Sequence, residues 1–248
     1  MRMKFLNTHV DNLTMSEAIE EVDNLIRERK HSYAVTPNMD HIVLIERDKL
    51  FKEIYDNADL ILTDGKPLLW IAKMQGTPIK EKISGSDFFP EMCKLAAKNG
   101  YKIYILGAAE GVAAKAAENL KKKYKGLQIV GTYSPPLGFE KDDDEVESII
   151  DKINASGADI LAVALGSPKG EKFIYRIRDR IEVALSISIG ATIDFEAGNV
   201  KRAPKWMSNV GLEWLYRITQ DPGRLIKRYW DDATSIVPIV RKYRKKAK

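Results

Sequence analysis

The chain has 248 residues, 44% of them hydrophobic and 30% charged, with a formal net charge of +5. That length can bury a full core, the composition excludes a disordered chain, and no apolar run approaches the roughly 18–20 residues of a membrane-spanning helix. The charge is uneven: residues 201–248 carry 13 Lys and Arg against 4 Asp and Glu, while the first 200 carry 27 against 31.

Three of the four tryptophans (Trp206, Trp214, Trp230) also lie in the basic part. A composition boundary therefore falls near Val200, dividing an α/β body (1–200) from a basic, aromatic helical appendage (201–248). MRMKFLNTHVDNLT at the N-terminus has no apolar signal core. The single cysteine, Cys93, cannot form an internal disulfide and reads as a buried structural thiol. These features predict a cytoplasmic chain.

Along the body, strands alternate with helices. SYAVTP (32–37) reads as a strand, followed by a helical stretch from Asp40 to about Asn57. DLILTDG (59–65) is the next strand and turn, followed by the apolar LLWIAKM. SGSDFFPEMCKLAAKNG opens on Ser/Asp capping residues and ends on Asn-Gly, a helix with start and stop signals. YKIYILG (101–107) leads into GVAAKAAENLKKKY, and LQIVGTY (127–133) into DDDEVESIIDKI. ADILAVALG (158–166) leads into GEKFIYRIRDR, and VALSISIG (183–190) closes the series. Continuous Val/Ile/Leu runs mark strands buried on both faces, hence a mostly parallel, Rossmann-like sheet with helices on both sides.

Ligands of such sheets bind outside the carboxyl ends of the strands. The segments there are TPNMD, TDGK, LGAAEG, LGSPKG and GATIDFEAG. Thr36, Asn38 and Asp64 are expected at the tips of neighbouring strands. Asp64 before Gly65 is either a turn residue or a general base, a carboxylate taking the proton of an attacking sugar hydroxyl. Gly107 and Gly111 lack GxGxxG spacing, leaving a glycine turn at a helix N-terminus that suits a phosphate. Gly166, Ser167 and Lys169 offer a similar loop with one positive charge. Asp194 either caps its loop or helps read a uracil edge. DDD (142–144) opens a helix, where acids complement the dipole. His9, His31 and His41 share no ligand spacing, so no metal and no cofactor are expected.

Five segments, in order over about residues 5–230, together resemble the WecG/TagA/CpsF group of bacterial glycosyltransferases. They are VTPNMDH, ADLILTDGKPLLW, KISGSDFFP, LGSPKGEKFIYRIRDR and GATIDFEAGNVKRAPKWMSNVGLEWLYRITQDPGRLIKRYW. The resemblance implies a UDP-sugar donor, often UDP-N-acetylmannosamine, and a polyprenyl-diphosphate-linked sugar acceptor, with products for teichoic acid, common antigen or capsule. It makes Asp64 the presumed base, with Thr36 and Asn38 the polar pair beside it. Lys82 stands where the family usually has arginine, suited to a diphosphate oxygen, and Asp194 lies in a motif lining the nucleotide pocket. Gly170 stands where glutamine is common, and Lys66-Pro67 where small or apolar residues are usual.

The lipid acceptor gives the tail a role. Met207, Val210, Gly211, Trp214, Leu215 and Ile218 fall on one helical face, and Asp221-Pro222-Gly223 breaks the helix. A second helix carries Leu225, Ile226, Tyr229, Trp230, Ile236 and Val237, with Arg224, Lys227 and Arg228 as its basic side. Aromatic, basic amphipathic helices suit an anionic headgroup layer. The appendage is expected to fold over the active-site edge at the inner membrane face, with Arg217 and Arg224 on a diphosphate. Packing on the body is the alternative for the first helix, and a homo-oligomer contact is another cover for the apolar face. The body has no recognised nucleic-acid motif, so no nucleic-acid partner is expected. Two other classes stay open: a nicotinamide-dependent oxidoreductase, weakened by the missing GxGxxG, and a non-catalytic membrane adaptor.

Overall fold

A computed structural model describes residues 1–204, 207–208 and 211–244, the side chain of residue 224 excepted. Strands β3 (Ser32–Val35), β4 (Leu60–Ile61), β5 (Lys102–Gly107), β6 (Gln128–Tyr133), β7 (Ile160–Ala164) and β8 (Leu185–Ser188) form a parallel sheet in the order β4-β3-β8-β7-β5-β6. Every residue of β3, β7 and β8 is buried, as expected for strands covered on both faces. Only β7 is an unbroken apolar run, since β3 and β8 also bury Ser32, Ser186 and Ser188.

Three elements precede the first strand read from the sequence. β1 (Arg2–Phe5) and β2 (Thr8–Asp11) make an antiparallel hairpin, and α1 (Met15–Glu28) follows. Thr14 and Glu17 close a capping box at the start of α1, which buries Ala18, Val22, Leu25 and Ile26. The hairpin covers an open edge of the sheet: Asp11 accepts the N–H of Ile61 at 2.9 Å and pairs with Arg2.

The remaining body helices sort to two faces. One carries α2 (Met39–Arg47), α3 (Lys49–Asp56), α4 (Lys66–Met74), α7 (Asp143–Ser156) and α8 (Lys169–Ile177). The other carries α1, α5 (Gly85–Asn99), α6 (Val112–Lys123) and α9 (Thr192–Ala197), with Cys93 buried in α5. The chain leaves β3 toward the first face and leaves the adjacent β8 toward the second. Their carboxyl ends therefore part to open a crevice, with Thr36 to Asn38 at one lip and Gly190 to Asp194 at the other.

The single helix expected over 40–57 is two. Asp48 ends α2 and starts α3 with an extended backbone, and its carboxylate accepts the N–H of Phe51 at 3.1 Å. Asp142 caps α7 by accepting from Asp144 and Glu145, so the acid run serves a helix start. The tail forms α10 (Glu213–Gln220) and α11 (Pro222–Arg244), separated at Asp221 alone because Pro222 and Gly223 already belong to the second helix. α11 lies along α2, burying Ile236 and Ile239 in the body's core. Trp206, Val210 and the Arg224 side chain, all named above, lie outside the described residues. Among the described residues no helix is long and apolar enough to cross a membrane.

Candidate active site

The crevice is built from strand tips held by backbone hydrogen bonds. Leu62 donates to the carbonyl of Val35 at 2.9 Å, and Asp64 donates to that of Pro37 at 2.8 Å. These bonds carry the pairing of β3 and β4 past the sheet edge and fix Asp64 beside Thr36 and Asn38. Gly65 turns the chain there with φ +105°, which L side chains rarely adopt, and α4 begins at the next residue.

Thr36 and Asn38 owe their positions to a buried histidine. Asn38 caps α2 by accepting the N–H of His41 at 3.2 Å, and the His41 ring is bonded to the Thr36 backbone and, at 2.9 Å, to the Tyr55 hydroxyl. Burial, with the Arg228 charge nearby, pulls His41 down to about 3, so the ring is neutral at physiological pH. His41 thus anchors the loop.

Asp64 is only partly exposed, and among the described residues no hydrogen bond or ion pair holds its carboxylate. Burial pushes it up to about 6, against the charges of Lys82 and Arg217; Glu213 and Asp87 add to the rise. Carboxylate, lysine and tail arginine therefore share one electrostatic site. Lys82 pairs with Asp87 at 3.0 Å, and Arg202, from the segment leading into the tail, pairs with the same carboxylate. Burial alone would raise Asp87, but the Ser84 hydroxyl, Arg202 and Lys82 hold it at about 2. Arg217 lies over the Phe195 ring, 5.7 Å from its centroid, beside Glu213 on its own helix and close to Tyr229 of α11. The segments carrying Asp64, Asp194 and the tail thus converge, with Trp214 edge-on to Tyr229.

Asp194 follows β8, the neighbour of β3, and the glycine-loop candidates after β5 and β7 lie further along the sheet edge. Asp194 occupies the first turn of α9, and burial raises its carboxyl. Gly107 ends β5 with φ +106°, and a Cβ there would meet the Ala164 carbonyl oxygen at 2.6 Å. Strand packing alone accounts for this glycine. Gly107→Ala is expected to destabilise by about 3 kcal/mol, lowering Tm by roughly 6–12 °C in a thermal melt. Gly166 has φ +73° and accepts the N–H of Gly170, and Ser167 precedes Pro168 through a cis peptide bond. Lys169 is engaged by Glu140 at 3.1 Å. A Cβ at Gly170 would lie 2.8 Å from the Ser188 hydroxyl, so the close approach of α8 to β8 explains the glycine. Beneath this loop, burial pushes the Glu171 carboxyl up to about 7 against hydrogen bonds from Ser188 and Ser167.

Arg202, Asp87, Glu213 and Phe195 were not singled out from the sequence, and His41 was read there only as a histidine without ligand spacing. Arg202 and Asp87 stand in the quoted KRAPKW and GSD stretches, but nothing in either motif says that they pair. A cavity of about 340 Å³ lies where α11 crosses α2, between Asp40, Arg47, Arg228 and Asp232; Asp64 does not line it. Among the described residues no cluster of His, Cys, Asp and Glu forms a metal cage.

A doubly wound sheet whose crevice sets a partly buried carboxylate against lysine and arginine is a frame for group transfer from a phosphorylated donor. The sequence profile of the glycosyl transferase WecG/TagA/CpsF family matches residues 3–248, and the chain belongs to that family and is a glycosyltransferase. It is 34% identical over 197 residues, 79% of this chain and 74% of the relative, to an N-acetylglucosaminyldiphosphoundecaprenol N-acetyl-beta-D-mannosaminyltransferase of Bacillus spizizenii. A protein of the same name from Bacillus subtilis is 32% identical over 190 residues, 77% of this chain and 71% of its own length.

Proposed function

We propose that the chain moves N-acetylmannosamine from its UDP donor to a polyprenyl-diphosphate-linked GlcNAc in cell-wall polymer synthesis, with inversion and without a metal. The observation carrying this reading is the Asp64 carboxylate at the β4 tip, unpaired among the described residues yet within the field of Lys82 and Arg217. Asp64 takes the proton of the acceptor hydroxyl, whose oxygen bonds to the anomeric carbon from one face. The bond to UDP breaks on the other face, and UDP leaves with the electron pair. Arg217 and Lys82 meet the charge on the departing diphosphate, and helix N-terminal N–H groups add to them. Thr36 and Asn38, fixed through His41, orient the acceptor. Asp194 and the Gly107, Gly166, Ser167 and Lys169 loops face the nucleotide side.

The names of the two relatives support the acceptor and sugar. The basic aromatic tail supports a chain lying on the inner membrane surface, where such an acceptor resides. The test is incubation with a panel of UDP-sugars and a lipid-diphosphate GlcNAc acceptor, reading product mass. UDP-N-acetylmannosamine is expected to give the one efficient transfer, at an undiminished rate in EDTA. Preferred use of another UDP-hexose, which Gly170 makes worth including, overturns the sugar assignment. Loss of turnover in EDTA overturns the metal-free mechanism.

A further inference from the structure

Helix α4 starts one residue after Gly65 and carries unlike faces. Leu68, Ile71 and Ala72 are buried in the core, while Trp70 and Met74, one turn apart, stay 53% and 69% exposed. Lys66 and Lys73 share that outward face, and among the described residues neither has a carboxylate partner. Lys82, Lys169, Lys172 and Lys242, by contrast, are all paired.

The tail meets this face directly. A Cβ at Gly211 would lie 3.0 Å from Lys66 Cβ and 3.1 Å from the Trp70 ring, and φ +80° also favours glycine there. Gly211 therefore lets the tail cross α4 in contact before α10 begins. Among the described residues, seven of the eleven exposed large apolar side chains lie on these elements: two on α4, two on α10 and three on α11. Exposed aromatic and aliphatic tips on α4 therefore adjoin, at Gly211, a tail that carries more of them, with Lys66 and Lys73 beside Trp70 and Met74.

We infer that α4 is a second bilayer-contacting element, seated with the tail in the headgroup layer of an anionic membrane. The inference rests on the membrane reading of the tail and extends it to the body. The indole of Trp70 and the thioether of Met74 enter the boundary between headgroups and acyl chains, and Lys66 and Lys73 meet lipid phosphates. Because α4 follows Asp64 so closely, this contact sets the height of the carboxylate above the membrane. A lipid-linked diphosphate then reaches it with its sugar foremost.

The test uses the full chain with one accessible thiol, since Cys93 is buried and its thiol is pushed up by burial. An environment-sensitive dye is placed by Met74→Cys, by Val237→Cys on α11, and by Lys122→Cys at the far end of α6. Vesicles of phosphatidylcholine and phosphatidylglycerol are added, with and without bromine on the acyl chains. The expected result is a blue shift and bromine quenching at positions 74 and 237 and none at 122. Trp70→Glu is expected to weaken partition about tenfold, an exposed ring being lost from the interface and a repelled charge gained. A response at 237 with silence at 74 overturns the role of α4 and leaves the tail reading intact. Silence at both overturns the membrane reading itself. A shift at 74 that grows with protein concentration in the absence of vesicles assigns the face to a second copy of the chain and overturns the proposal.

Discussion

Asp64→Asn is expected to cost on the order of 10²–10⁴ in turnover while UDP binding and fold are kept. The amide is isosteric and polar but cannot take a proton, so only the step that needs a base suffers. The pH dependence follows from the same environment. Burial holds the Asp64 carboxyl up at about 6, and a base works only when ionised. kcat/KM should therefore climb with pH through about 6 and level off above, and the small residual rate of the variant should lack that limb. Stability runs the other way. A carboxyl whose pKa is raised on folding contributes most at low pH, where it is protonated in both states, and that contribution is lost as pH rises through 6. Above that pH the wild-type chain carries the cost of a buried charge that asparagine lacks, so Tm of the variant should not fall. A near-full rate for Asp64→Asn would make the residue a plain turn aspartate, and a lost rate with a collapsed Tm would make it structural.

Much of the body was legible because the sheet is buried on both faces. ILAVA can be apolar throughout, and LSIS can bury two serines, only where helices cover both sides of the sheet, so the β-rich runs between turn signals marked the strands along the chain. Helix α1 carried readable signals too, in the capping box of Thr14 and Glu17 and the spacing of Ala18, Val22 and Leu25. The break at Asp48 was harder, since one carboxylate ends one helix and starts the next without any glycine or proline. Of the site, the strand-tip residues could be read because a parallel sheet sends all its carboxyl ends to one edge. What the sequence withholds is partnership across distant segments. Lys82 pairs with Asp87 nearby in the chain, yet the same Asp87 is claimed by Arg202, far along it. His41 looked like a scattered histidine and proves to be the buried anchor of the Thr36–Asn38 loop.

Arg217→Ala is expected to lower kcat/KM by about 10²–10³, the loss usual when a donor aimed at developing negative charge is removed. The guanidinium reaches the site from the appendage and is steadied by the Phe195 ring, Glu213 and Tyr229, so it comes partly ordered to its task. Lysine at 217 should restore a fraction only, because a point charge cannot reproduce the two-pronged contact of a guanidinium with a diphosphate. A role in catalysis is separable from a role in packing through Asp64. The Arg217 charge lowers the Asp64 pKa from what burial alone would set, and Glu213 raises it. Removing the cation should move the acid limb of the pH–rate profile upward, and Glu213→Gln should move it downward. The Arg217 side chain is 39% exposed, so its loss leaves no core cavity and Tm should shift little. Opposite movements of the acid limb in the two variants are a signature that no packing defect produces. If Arg217→Ala lost its rate with an unmoved limb and a lowered Tm, the residue would be a brace for the tail, and charge neutralisation would have to come from elsewhere.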